Sequence, residues 1–523
     1  MADTGTSLLD LPTAVLMSAG GDDRITLDEQ SGLNSYGCAP EPIRAISYSS
    51  STASSISAAA YAHAHAVHHQ LRLAVAGGES EDAAYTRFLR NARSRLRAVY
   101  GLTADVDIGF GASGTDLEYL ALALALQDGR PVANIVVEVD EVGSGCLFSQ
   151  AGQYFAPRTA LGLRVEKGAH LPGFDAEDIS VETLKTRTEN GPVRSDDEYA
   201  KMLLDTVGAV IAAGGRPLVH IIHRSKTGII TPSLSAIDGL LAVHGDAVDL
   251  VVDACQGRIS SDSIAAYLAR GASIFMTGSK FIGGPPFSAW MLVPGKLSTR
   301  MKSGRPAPEG LAHFFARGDM PTGWTDVENI LPSRTNFGLL LRLEAGLFEL
   351  ERLLAMPMER VDAVIIAFGT AMNSLGPTIP FRLVEGAADD PAAGDHINRN
   401  QPIHPLDRKM LYVIELTDPH PATGRPLSVE QAREVYRGLY TDMTDSFCDP
   451  RDKLTASEIC HLGQPVKCLK HDDGEWAPTL RLSLSAPQIF EMIGLDADRL
   501  VERFTADIER IAAKIRLVTS RLD

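Results

Sequence analysis

Cysteine is scarce in this chain, and positive charge is outnumbered. Six cysteines (Cys38, Cys146, Cys255, Cys448, Cys460 and Cys468) are spread over 523 residues with no CxxC pair. That density excludes a disulfide scaffold. Cys460, His461, Cys468 and His471 lie close together, but their spacing fits no standard zinc module, and they read as ordinary loop residues, so no metal is expected. The 49 Lys and Arg stand against 66 Asp and Glu, a formal net charge of −17. Such a surface repels nucleic acid and anionic lipid, so neither is an expected partner, and an anionic substrate needs a local basic pocket. Long apolar runs are missing too: no stretch has the length and apolarity of a membrane span. The first residues, MADTGTSLLDLP, carry no basic region followed by an apolar run. This sets the expectation of a cytoplasmic protein.

What the chain does contain is ordinary globular material, 45% hydrophobic and 22% charged, which argues against a mainly disordered protein. Its 523 residues exceed one compact core, so two domains are expected. Residues 1–30 read as a loose N-terminal leader. Residues 31–100 read as a segment contributing to a site and a dimer. Within it, the Ser-, Gly- and Pro-rich stretch 31–57 has irregular backbone, with Asn34 and Tyr36 as candidate substrate contacts, and helices follow near 58–76 and 82–100. From residue 105 short apolar runs alternate with helices. Strands are predicted at 108–110, 134–139, 217–223, 249–254, 272–278 and 287–294, and helices at 116–126, 197–213, 234–244 and 263–270. This alternation indicates an α/β fold: a large domain over 101–335 with a mostly parallel sheet covered by helices. A long helix at 336–355 opens a smaller α+β domain over 336–523. That domain contains a Pro- and Asp-rich loop at 386–408, strands in LYVIEL and TLRLSLS, and a terminal helix.

Ligands in such sheets sit at the carboxyl ends of the strands, and the chemically suggestive residues fall there. Lys280 follows a buried strand in FMTGSKFIGGPPFSA. Desolvation favours the neutral amine of a lysine, the form that condenses with an aldehyde. Thr277 and Ser279 flank it with hydroxyls suited to phosphate, and Gly283 and Gly284 allow a tight turn. Asp253 ends LVVDA, where a carboxylate needs a partner. A protonated ring nitrogen is one such partner; a helix N-terminus or a metal is another. GASGTD (111–116) follows a strand and opens a helix. Its N–H groups around Gly114, with the Ser113 and Thr115 hydroxyls, form an anion cradle or equally a plain N-cap. HRSKTG (223–228) puts His223, Arg224, Ser225 and Lys226 at another strand end, and Thr335 and Asn336 in SRTN offer further phosphate donors. Arg481 in TLRLS suits a carboxylate if buried, and is a solvated edge charge if not.

Taken in order, GASGTD, HRSKTG, DACQ, TGSK and TLRLS resemble the motifs of fold-type-I pyridoxal-phosphate (PLP) enzymes. Within that group they resemble the class V aminotransferase and cysteine desulfurase branch, over roughly residues 40–515. The resemblance implies a large PLP-transferase domain with a seven-stranded-type sheet. It implies PLP as a Schiff base on Lys280, Asp253 on its pyridine nitrogen and Gln256 facing its phenolic oxygen. Phosphate contacts from Ser113, Gly114, Thr115, Thr277 and Ser279 follow by position, as does Ser225 near the ring oxygen where the family often has Asn. Thr335 matches a turn that reaches the phosphate of the neighbouring subunit, which implies a homodimer with shared active sites, and Arg481 becomes the substrate-carboxylate anchor. The chain departs from the family in three places. The loop DEVGSGC (140–146) lacks the usual His or aromatic ring over the cofactor, leaving Val142. The position of Ser279 is commonly His in desulfurases. The region 305–330 holds no cysteine for a persulfide, which disfavours a desulfurase.

The implied reaction is transamination of a small α-amino acid, with β- or γ-elimination or replacement by a lyase as the alternative and decarboxylation as the third. A non-catalytic binding protein on the same fold is the rival of a different class; intact Lys280 and Asp253 argue against it. A nucleotide enzyme using GASGTD as a phosphate loop would need G-x-x-x-x-G-K-[ST], which is missing.

Overall fold

A computed structural model of the protein describes residues 7–189, 191–384 and 403–522. At its centre is a sheet of strands β1 (Asp107–Gly111), β2 (Val132–Val137), β3 (Ile179–Leu184), β4 (Arg216–His223), β5 (Asp249–Asp253), β6 (Ser273–Thr277) and β7 (Ala289–Val293). Their spatial order is β1-β7-β6-β5-β4-β2-β3. Of these seven, β7 alone runs against its neighbours. A two-residue strand, Ile230–Thr231, adds to β4. Every residue of β2, β4, β6 and β7 is buried. Their near-continuous apolar sequences are what a sheet covered on both faces requires.

Alternation along the strands splits the interior in two. Leu250, Val252 and Ile274 join one core with the helices Asp196–Ala212, Leu234–His244 and Phe337–Leu354. Val251, Phe275 and Met291 join the other, under the helix Gly114–Leu126. β3 escaped prediction because it is an edge strand of mixed burial (ISVETL) with no apolar run.

The N-terminal stretch is not a loose leader where it is described. Leu9, Leu16 and Met17 are buried in the first core. The buried guanidinium of Arg342 donates to the carbonyls of Met17, Ala19 and Gly20 at 2.9, 2.5 and 2.8 Å. The partner that fixes this stretch lies more than half the chain away, out of reach of local patterns.

A second sheet, β8 (Phe381–Leu383), β9 (Leu411–Leu416) and β10 (Thr479–Ser483), is antiparallel throughout. It packs with the helices Met358–Asn373, Val429–Leu439 and Ala497–Thr519 around a separate core. The helix Phe337–Leu354 keeps Leu339, Leu343 and Leu347 in the first core and only Leu353 in this one. The cores therefore change over near Leu353. Strand Ile46–Tyr48 pairs in parallel with Cys460–Leu462, tying the N-terminal segment to the smaller body. The predicted loop 386–408 lies outside the described residues as far as 402. Among the described residues no helix is long and apolar enough to cross a membrane, and no group of three or more His, Cys, Asp or Glu is placed to hold a metal ion.

Candidate active site

The carboxyl ends of β1, β2, β4, β5 and β6 open on one cavity of about 690 Å³, which β10 and the helix Val429–Leu439 help to line. It brings together Tyr36, Ser113, Gly114, Thr115, Ser225, Asp253, Gln256, Thr277, Ser279, Lys280 and Arg481. Asn34 and Thr335 do not line it. The Asn34 Oδ1 accepts the N–H groups of Tyr36 and Cys38 at 2.9 and 3.2 Å. It builds the turn that presents Tyr36 rather than meeting a ligand itself.

Lys280 and Asp253 stand at the ends of the adjacent parallel strands β6 and β5, in register through Asp253 and Phe275. One Asp253 oxygen accepts the Cys255 N–H at 2.9 Å, which fixes the carboxylate at the cavity wall. The turn after β1 closes tightly against this strand end: a Cβ on Gly114 would meet the Cys255 sulfur at 2.5 Å, so only glycine fits. The Ser113 hydroxyl donates to the Asp116 carboxylate at 2.5 Å and accepts the Asp116 N–H at 3.3 Å, so it caps the helix. Among the described residues the Thr115 hydroxyl has one hydrogen-bond partner, the Cys146 sulfur at 4.0 Å, and it lines the cavity. Ser279, also on the lining, has no side-chain hydrogen-bond partner among the described residues. Those two hydroxyls remain free to donate.

Two expected donors are otherwise engaged. The Thr277 hydroxyl donates to the Cys255 carbonyl at 2.7 Å, which leaves it no proton for a phosphate. The Ser225 hydroxyl donates to Glu141 at 2.6 Å and accepts the N–H groups of Thr227 and Ile229, so it holds the loop after β4 rather than a ring oxygen. The Gln256 amide donates one N–H to the Ser51 carbonyl at 3.2 Å and accepts from Arg258 at 2.7 Å. Its second amide proton is left over.

Arg481 is 2% exposed. Its guanidinium donates to the carbonyls of Gln464, Ser51 and Lys226 and to the Thr52 hydroxyl, at 2.9, 3.3, 3.2 and 2.9 Å. All four acceptors are neutral. Burial pushes the group down to about 10, as expected for a cation without a counter-charge.

Several lining residues were not predicted as site residues. Glu118 is buried in the helix Gly114–Leu126, and burial together with the Asp253 charge raises its carboxyl well above the usual range. An acid inside DLEYLALALAL was the available signal. Glu141 pairs with the buried Arg187 at 2.7 Å and holds Ser225 and Thr227. Val142, buried in the same loop, lines the cavity where a ring was looked for. Lys226 also lines it, and its ammonium donates to the Val139 carbonyl at 3.1 Å.

No family model matches this chain, and no curated protein does. Solved structures match in fold. A NifS-like protein is 12% identical over 90% of this chain and 99% of its own, with a TM-score of 0.50. The cystine C-S lyase C-DES, solved with its reaction product cysteine persulfide, is 14% identical over 88% and 97%, with a TM-score of 0.50. A NifS-like protein from Rickettsia africae is 12% identical over 90% and 99%, with a TM-score of 0.49. The class so defined is one of fold: a large, mostly parallel α/β body carrying a small α+β body. Within that class the chain shares the architecture of the NifS-like protein and of the C-S lyase almost end to end.

Proposed function

We propose that the protein is a PLP-dependent enzyme that transaminates a small α-amino acid. The observation that supports this most is the meeting in one cavity of an amine (Lys280), a carboxylate on the adjacent strand end (Asp253) and a buried guanidinium with neutral acceptors only (Arg481). The residues present fit the cofactor. The Thr115 and Ser279 hydroxyls and the first N–H groups of the helix Gly114–Leu126 suit its phosphate, and the spare Gln256 proton suits its phenolic oxygen. Lys280 Nζ would take its aldehyde, and Asp253 would hold a proton at its pyridine nitrogen. Bound there, the cofactor supplies an electron sink for the bonds at the substrate Cα.

The chain's own residues do the rest. Arg481 binds the substrate carboxylate and turns Cα toward Lys280, whose amine moves the Cα proton. Val142 and its loop keep water from that face. Transamination needs no further specialised residue. A β- or γ-elimination or replacement lyase would use the same contacts, and products separate the two: amino-group transfer with keto acid in one case, ammonia or sulfide release in the other. The test of the parent reading is borohydride reduction after incubation with PLP, followed by peptide mass mapping. The expected result is cofactor mass on Lys280, absent in Lys280→Ala, with turnover in that variant reduced on the order of 10²–10⁴-fold or more and a native melting curve. Wild-type protein that gains no mass at Lys280 refutes it.

A further inference from the structure

Charge around the cavity does not balance. At the amino ends of the central strands Asp249 binds two guanidinium groups, Arg216 at 2.5 Å and Arg300 at 2.7 Å. At the cavity the arrangement is reversed. Arg433, Arg437 and Lys467 line it as exposed side chains, Arg24 is paired with Asp22 at 2.6 Å, and Arg224 donates to the Asp407 carbonyl; Lys226, Lys280 and Arg481, buried or half-buried, have no carboxylate within ion-pair distance among the described residues. The acids nearby are accounted for. Glu141 is paired with Arg187, and Glu430 with Arg433 at 2.6 Å. Burial, with the Asp253 charge, raises the Glu118 carboxyl well above the usual range. Asp253 faces the proposed cofactor site, and Asp140, also on the lining, raises the Lys226 amine less than burial and the charges of Arg481 and Lys280 lower it. In a molecule of net charge −17, such a surplus of unpaired cations marks a place for anions.

The proposed function uses two of these last three cations. Lys280 takes the aldehyde, Arg481 takes one carboxylate, and the phosphate cradle consists of neutral donors. Lys226 is left over. Its backbone is fixed beside Arg481, whose guanidinium donates to the Lys226 carbonyl at 3.2 Å, and its N–H donates to the Glu141 carbonyl at 2.9 Å. Burial, with the charges of Arg481 and Lys280, pushes its amine down to about 8. Among the described residues one of its ammonium protons is engaged, on Val139. We infer that Lys226 binds a second anionic group of the substrate, so that the site takes amino acids with an acidic side chain. This rests on the proposed function and narrows its substrate class.

The test is calorimetric titration with unreactive acids of equal length, succinate and butyrate, on the chain with and without PLP. Wild-type protein is expected to favour succinate by about tenfold or more. That ratio should fall toward one in Lys226→Gln and be largely kept in Lys226→Arg, which also guards against a folding defect. Equal binding of the two acids by wild type overturns the inference, as does a preference that survives Lys226→Gln. The mass on Lys280 is read on the same samples. Cofactor mass without the preference leaves the enzyme reading standing and removes this one. The preference without cofactor mass keeps the dianion site and removes the enzyme.

Discussion

Arg481 shows at the scale of one residue what a binding site asks of its surroundings. A buried guanidinium with four neutral acceptors keeps an uncompensated charge, and a substrate carboxylate relieves it. Arg481→Ala should therefore raise KM for the amino acid by about 30-fold or more, with a smaller effect on kcat. Steady-state kinetics reads this directly, and an unchanged KM takes Arg481 out of the site. Because the same group ties Ser51, Thr52, Gln464 and Lys226 together, the melting temperature should fall as well. The sequence reveals such residues unevenly. The places of Lys280 and Asp253 on the cavity wall were legible because each stands at or just past the end of an apolar strand. The roles of Thr277 and Ser225 were not, because a sequence shows a hydroxyl but not its acceptor, here Cys255 and Glu141. Lys226 stood in plain view within HRSKTG, but nothing local says that this lysine faces a cavity.

At the scale of elements, the helix Gly114–Leu126 carries a polar network into the sheet. The Asn134 amide donates to the Gln150 carbonyl at 2.6 Å, so its oxygen is the atom that accepts from His220 Nε2, 3.0 Å away. His220 Nδ1 is then an acceptor, which agrees with burial lowering its pKa to about 3. Glu118 Oε2 stands 3.5 Å from that nitrogen, and Gln150 donates to Glu118 Oε1 at 3.0 Å. A protonated Glu118 beside a neutral His220 is the consistent state.

The Glu118 carboxyl is raised above its ordinary value of 4.5. Below that pH both folded and unfolded chains carry the proton. Above it the unfolded chain releases the proton while the folded one keeps it, so stability is lost as pH rises. Glu118→Gln removes this term. The variant should be more stable than wild type at pH 8 by more than about 1 kcal/mol and nearly equal to it near pH 4.5. Urea unfolding at both values checks the sign, and a gap that fails to widen with pH shows that Glu118 is ionised in the fold. Among the elements themselves, β2, β4, β6 and β7 were legible because buried strands read as apolar runs. The helix Met358–Asn373 was not among the predicted elements, although Val361, Val364, Ile365, Phe368 and Met372 stand at helical spacing. β3 was not legible, since its residues alternate between partial burial and exposure.

At the scale of the molecule, the alternation of strands and helices determines the two-sided sheet, whereas the anchoring of residues 9–20 by Arg342 depends on contacts that no local pattern reports. The same limit applies to assembly. Within one chain the proposed phosphate cradle offers the hydroxyls of Thr115 and Ser279 and the first helical N–H groups, few donors for a group that accepts many hydrogen bonds. Thr335 lies half-buried outside its own cavity, just before Asn336, which caps the helix Phe337–Leu354. We propose a homodimer in which Thr335 completes the partner's cradle, which would resolve both facts. The protein should then sediment at twice the monomer mass, and cofactor retention should fall on dilution as dimers part. Thr335→Ala should weaken cofactor binding about tenfold, the loss of one hydrogen bond to a charged group, without altering the monomer's melting curve. Sedimentation with absorbance detection of bound cofactor follows mass and loading together. A monomer that keeps its cofactor at every dilution, or Thr335→Ala with wild-type retention, would place the whole site within one chain.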